Sequence, residues 1–260
     1  MRSSDKNRSL LALLLVCGSL SAYCQQKFAG DPPSYSVPNP PLPVDQVAKK
    51  LEERDVERNA ALSQFSSRRI YRMQYRGFFS DRDAQMVVDV TYRAPHTKQF
   101  KIVSQSGSPF VIDHVFKKLM ESEQEYVRDD KRLTALSAEN YSFSLAGYEQ
   151  TPDGALYVLD LTPRKRNKFL YRGKIWVDAK DFAVVRIEAE PATSPSMWIR
   201  KTEIEHRYMK VGDFWLPAED HTESSIRFGG EAVLSIDYRD YKIIKAAPLP
   251  GVQRAWADSH

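Results

Sequence analysis

The chain has 260 residues, with 38 Lys and Arg against 34 Asp and Glu, for a formal net charge of +4. That near balance argues against a protein that grips nucleic acid through a strongly basic face. Its two cysteines, Cys17 and Cys24, both fall near the N-terminus, so the remainder offers neither a disulfide framework nor a thiolate metal site. A hydrophobic content of 42% is enough for a packed core to carry stability instead.

Arg2, Lys6 and Arg8 precede the apolar run Leu10 to Val16, which is followed by Gly18, Ser19, Ser21 and Ala22. A charged start, a short apolar run and small residues form a secretory signal. The run is too short for the roughly 20 residues of a membrane-spanning helix. The expectation is a signal peptide over 1–24, cleaved between Ser21 and Gln25, and a periplasmic protein with no permanent transmembrane span. A lipid anchor at Cys24 is the lesser alternative, because Tyr23 is bulky where lipidation signals want a small residue. Loss of this segment, with three basic residues and one acidic, leaves a net charge near +2.

Residues 25–44 are Pro-rich, with six prolines between Gly30 and Pro43, and read as an extended linker. One domain is expected over 45–245, with a C-terminal tail at 246–260. Asp45 can cap a helix running to Phe65, whose stripe is Val47, Leu51, Val56, Ala60 and Leu62. Alternation with period two then sets in over Ile70 to Phe79, and Met86, Val88, Val90 and Tyr92 share one face. Phe100 and Ile102 continue it. Gly107-Ser108-Pro109 reads as a turn into a second helix from Pro109 to about Val127, with Val111, Val115, Phe116, Leu119 and Met120 at helical spacing. This helix interrupts the strands and can lie across the sheet.

Alternation resumes at Tyr141, Phe143 and Leu145, then at Ala155 to Leu161, Phe169 to Val177, Phe182 to Glu190, Met197 to Met209, Phe214 to Glu223 and Glu231 to Ile243. Turns are expected at 151–154, at Asp178 to Asp181, at Gly212-Asp213 and at Gly229-Gly230. The fold class is therefore mostly β, an α+β chain with a large antiparallel sheet of about ten strands that curls around something.

Catalytic patterns are sparse. His96, His114, His206, His221 and His260 never take the i, i+4 spacing of a helical zinc site, and there is no Gly-x-Ser-x-Gly elbow or phosphate loop. Asp178 and Asp181 flank a turn that favours aspartate for backbone reasons. The cluster Arg164 to Lys168 is read first as a solvated hairpin loop and second as a contact for anionic headgroups or an acidic partner. Trp176, Trp198, Phe214 and Trp215 are read as sheet-face packing. The expectation is a protein that is not an enzyme and has no cofactor and no metal.

Tyr171 to Glu188, YRGKIWVDAKDFAVVRIE, followed by Lys210 to Pro217, KVGDFWLP, resembles the outer-membrane lipoprotein-sorting protein family, periplasmic proteins similar to LolA, LolB and the sensor domain of RseB. The resemblance spans about Asp45 to Ile244. It implies an unclosed antiparallel β barrel with covering helices, whose apolar interior accepts acyl chains of lipoproteins or lipids. Arg93-Ala94-Pro95 with Phe100 resembles the carrier motif, although an alanine separates the arginine from the proline, and it implies that Arg93 helps hold the cover. The candidate ligand-binding residues are Val88, Val90, Tyr92, Arg93, Phe100, Ile102 and Phe143. Partners would be lipid or lipoprotein acyl chains, with an envelope protein as a further possibility. A structural envelope protein without a lipid ligand and a secreted hydrolase are the alternative functions.

Overall fold

Alternating strands of this kind must bury one face, and the chain does so in one sheet. The computed structural model describes residues 35–36, 40–77, 80–95, 97–126, 134–166, 169–193, 199–227 and 229–248. The signal segment with both cysteines, most of the linker, His96, Asn167, Lys168, Trp198 and the end of the tail lie outside the described residues.

After the two-residue strand β1 (Tyr35–Ser36) comes helix α1 (Val44–Ala61). Strands β2 (Leu62–Gly77), β3 (Asp81–Arg93) and β4 (Thr97–Gly107) follow, then helix α2, built of Pro109–Val111, a π turn at Ile112–Phe116 and Lys117–Tyr126. Among the described residues seven more strands follow: β5 (Tyr141–Thr151), β6 (Gly154–Pro163), β7 (Tyr171–Asp178), β8 (Val184–Pro191), β9 (Ile199–Val211), β10 (Phe214–Ile226) and β11 (Gly230–Ala246). All pairings are antiparallel, in the order β1-β5-β6-β7-β8-β9-β10-β11-β2-β3-β4. No ladder among the described residues joins β1 to β4, so the curved sheet stays unclosed. Consecutive strands are neighbours from β2 to β4 and from β5 to β11, β11 pairs with β2, and the segment carrying α2 lies between β4 and β5, which are near opposite edges.

The first helix is shorter than its sequence implies and begins without an Asp45 cap. The carbonyl of Pro43 receives the N–H groups of Gln46 and Val47. Leu62 to Phe65 have left the helix to pair with β11, Phe65 opposite Ile243. The face α1 buries is Val47, Ala48, Leu51 and Ala61, while Val56 is exposed. At the end of β4, Gly107 adopts φ +89, and a Cβ there would stand 2.2 Å from the Asp83 carbonyl. Ser108 donates its N–H to that carbonyl at 2.7 Å. Glycine thus permits the sharp departure from the edge strand into α2.

Three buried clusters line the covered, inner face. Under α2, Tyr71, Met73, Met86, Val88, Val90 and Leu234 meet Val111, Ile112, Val115, Phe116 and Met120. Under α1, Tyr157, Leu159, Ile175 and Ile204 meet Val47 and Leu51. A smaller group of Ala61, Leu62, Phe65, Phe214 and Leu216 closes the bottom of the sheet. The turn at Asp178 is the backbone device its sequence suggests: its Oδ1 accepts the N–H groups of Lys180 and Asp181.

Candidate functional site

A row of polar side chains crosses the inner face where apolar residues are the rule. Inward positions of β2 run Phe65, Ser67, Arg69, Tyr71 and Met73, so Ser67 and Arg69 point into the covered face simply by sharing parity with the core. On β9 and β10 the directly opposed pair His206 and Asp220 bond through Nδ1 and Oδ1 at 2.6 Å. Tyr238 of β11 donates its hydroxyl to Asp220 Oδ2 at 2.5 Å. Its ring lies 4.7 Å beneath the guanidinium of Arg69, the residue opposite it in register.

Arg69 is only 4% exposed. Its Nη1 donates to Glu123 Oε2 of α2 at 2.6 Å, and Lys98 of β4 donates to the other oxygen, Glu123 Oε1. Gln124 on the next position adds a bond to the Lys98 carbonyl at 3.2 Å. The cation also faces the Phe100 ring, 5.7 Å away, so aromatic faces replace part of its lost water. The helix cover is therefore fastened to β2 and β4 through one carboxylate.

Charge states follow from these contacts. Burial alone would keep Glu123 neutral, yet the adjacent Arg69 and Lys98 hold its carboxyl down at about 2. Burial opposes the imidazolium of His206 too, but the Asp220 carboxylate outweighs it and holds the ring above the ordinary histidine value. Burial pushes the Tyr71 phenol up to about 12 and moves the phenols of Tyr238 and Tyr241 in the same direction. The three tyrosines act as neutral hydrogen-bonding groups at neutral pH.

The seven candidate residues divide among these features. Val88 and Val90 are 0% and 1% exposed beneath α2, with Phe100 packed against the same cluster. The apolar strip they form is occupied by α2's own side chains. Tyr92 belongs to the lower cluster, its ring 5.2 Å from that of Phe65. Phe143 packs in the α1 cluster on β5, remote in sheet order from β3. Ile102 lies opposite the inward Val88, in phase with Phe100 opposite Val90, yet on the edge strand it keeps 39% of its surface exposed. Arg93 is exposed at the end of β3, and the arginine bonded to the covering helix is Arg69. An open depression at the ends of β9 to β11, lined by Arg200, Ile226, Arg227 and Glu231 among others, includes none of the seven.

Other candidates take structural parts. Asp181 accepts the indole N–H of Trp215 at 2.8 Å and pairs with Lys210. The Trp176 ring lies 4.7 Å from the guanidinium of Arg186, and Arg164 Nε donates to the Tyr141 carbonyl at 2.9 Å. Among the described residues no group of three or more His, Cys, Asp or Glu gathers around a metal-sized space, and no helix is long and apolar enough to cross a membrane.

The class defined by fold and face is an unclosed, curved antiparallel sheet with helices over its inner side. No family model matches the sequence, and no curated protein matches it. Among solved structures, the chain is similar to a DUF1329 family protein from Desulfovibrio piger, with TM-score 0.39, 14% identity and coverage of 81% of this chain and 95% of that one. It is also similar to a putative outer membrane lipoprotein-sorting protein domain from Vibrio parahaemolyticus, with TM-score 0.38, 10% identity and coverage of 81% and 95%. A LolA superfamily protein from Nitrosomonas europaea follows with TM-score 0.32, 16% identity and coverage of 78% and 94%. The last two carry the name of the family that the sequence resembles. Similarity at this level concerns architecture, and the functional argument rests on the inner face itself.

Proposed function

We propose that the protein is an exported carrier or sensor of the bacterial envelope that binds acyl chains of lipoproteins or lipids between α2 and the inner face of β2 to β4. The observation that carries this reading is the ionic fastening of α2 over an apolar strip. Val88, Val90 and Met86 lie beneath a cover whose outer end is held by Glu123 between Arg69 and Lys98. An acyl chain that displaces the cover gains about 0.8 kcal/mol for each methylene it buries. Such binding needs no catalytic group, only an apolar strip and a cover that lets go.

The mature protein, expressed with its signal and purified from the periplasm, is expected to carry extractable acyl lipid that mass spectrometry can identify. Its intact mass is expected to correspond to a chain that begins after a cleavage between Ser21 and Gln25. Absence of copurifying lipid, together with no uptake of a fluorescent fatty acid, would falsify the reading. An envelope protein partner is a second reading, favoured by the edge strand β4. Ile102 and Val103 are exposed there, and an extended peptide can add to such an edge.

A further inference from the structure

This inference rests on the acyl-chain reading and concerns the ligand's headgroup. Arg69 Nε is buried and has no hydrogen-bond partner among the described residues, and neither has the Oγ of Ser67, two residues earlier on the same face and also 4% exposed. Buried polar atoms in native proteins are usually satisfied, by protein or by something bound. On β3 the opposing positions supply no acceptor: Val90 lies opposite Ser67 and Val88 opposite Arg69.

The charges around Arg69 point the same way. Glu123 is the carboxylate bonded to Arg69, and the neighbouring phenols of Tyr71 and Tyr238 are neutral. When α2 lifts it takes Glu123 with it and strands Arg69, a cation the inner face buries almost completely. A stranded buried charge is strongly unfavourable, so whatever replaces α2 must bring a negative charge. A neutral chain repays the apolar contacts and leaves the cation unpaired.

Glu123 also describes the shape of that replacement. It is a carboxylate whose two oxygens divide between Arg69 and Lys98, and behind it on the same helix Phe116, Leu119 and Met120 lie against the sheet. A charged head followed by an apolar body is the chemistry of a fatty acid.

We propose that the ligand is an acyl chain ending in a carboxylate, and that Glu123 with the apolar face of α2 is its internal stand-in. The incoming carboxylate takes the place of Glu123 on Arg69 and Lys98. It also accepts the hydrogen bonds of Arg69 Nε and Ser67 Oγ that Glu123 leaves unmade, while the chain runs over Met86, Val88 and Phe100.

The test is displacement of a neutral naphthylamine fluorophore from the mature protein by laurate, dodecanol and dodecyl phosphate, which share one chain length. Laurate is expected to displace the fluorophore at roughly one tenth the concentration of dodecanol or less, a tenfold ratio reflecting one charged contact. Glu123→Gln removes the competitor and widens that ratio, whereas Arg69→Met abolishes it. Should Arg69→Met fail to fold, Lys98→Met carries the same expectation, and the wild-type ratio stands on its own. Equal displacement by laurate and dodecanol overturns the headgroup assignment and leaves the acyl-chain reading intact. Dodecyl phosphate acting at a tenth of the laurate concentration overturns the carboxylate in favour of a phosphate head. No displaceable fluorophore in the wild type removes both proposals.

Discussion

The two helices cover the same sheet by different means. The α1 half is sealed by apolar contact: Val47 and Leu51 sink into the cluster of Tyr157, Leu159, Ile175 and Ile204. Arg58 then ties the far end of α1 to the β7–β8 turn, donating to the carbonyls of Asp181 and Phe182 at 2.9 and 3.0 Å. The α2 half also packs apolar side chains, yet its helix contains a π turn at Ile112–Phe116 and depends at its outer end on one carboxylate between two cations. π turns within helices are frequent at functional sites. Apolar packing is insensitive to pH and salt, while a charged fastening responds to both and to a competing anion. Under the proposed function, the contrast makes α1 the stabilising cover and α2 the one that a ligand displaces.

The largest expected effect lies in the α1 half. Leu51→Ala deletes a nearly buried side chain and costs about 2–5 kcal/mol, read as a fall in the urea midpoint. In the α2 half, Glu123→Ala leaves Arg69 without its carboxylate and is expected to cost about 2 kcal/mol, the penalty of an orphaned buried charge. Arg69→Met costs less, because Glu123 is 29% exposed and keeps Lys98. If Glu123→Ala instead costs no more than about 0.5 kcal/mol, the figure for an ordinary surface pair, α2 is packed like α1 and the contrast fails.

Much of this arrangement is legible in the sequence. The strands follow from period-two alternation, and α2 from Val111, Val115, Phe116 and Met120, all of which the structure buries. Alternation is blind to sheet edges, so it does not reveal that Ile102, opposite the buried Val88 on edge strand β4, keeps 39% of its surface exposed. It also invites reading Leu62 as helical, because nothing local reveals that β11 will claim it. The polar row is the part that sequence reasoning passes over. Its signal is present, since Arg69 shares parity with Tyr71, Met73 and Tyr75, and a charged residue at an inward position demands a buried partner. Starting that strand at Ile70 hides the parity. The partners Glu123, Tyr238 and Asp220 come from elements distant in sequence, and only the fold brings them together.

Smaller effects are expected from pH, and they separate the halves again. Glu123 sits below its ordinary value of 4.5 at about 2, so its contribution is present above the ordinary value and is lost as the pH falls through the folded one. Hydrogen exchange in acid should therefore quicken in α2 before α1. His206 is shifted the other way. A raised folded value means that its stabilisation is complete below about 6.5 and disappears as the pH rises through the folded value. The melting temperature should decline from about pH 6.5 upward, and Asp220→Asn should flatten that slope. A slope that survives in Asp220→Asn assigns the titration to another group.

The smallest effect is expected at Arg93, and it tests which arginine serves the cover. Arg93 ends β3 beside the β3–β4 turn and is exposed, whereas Arg69 lies in the middle of β2 beneath Glu123. Replacing an exposed residue outside a buried network usually changes stability by no more than about 0.5 kcal/mol. Arg93→Leu should accordingly leave the urea midpoint, the exchange rates of α2 and the laurate preference near wild type, while Arg69→Met alters all three. Acceleration of α2 exchange in Arg93→Leu, comparable to that in Arg69→Met, would return the fastening role to Arg93. It would also mean that the cover is steered from the hairpin end of the sheet, because the polar row itself is untouched in that variant. Measuring exchange in both variants at one pH separates a charge that anchors the helix from a charge that merely borders it.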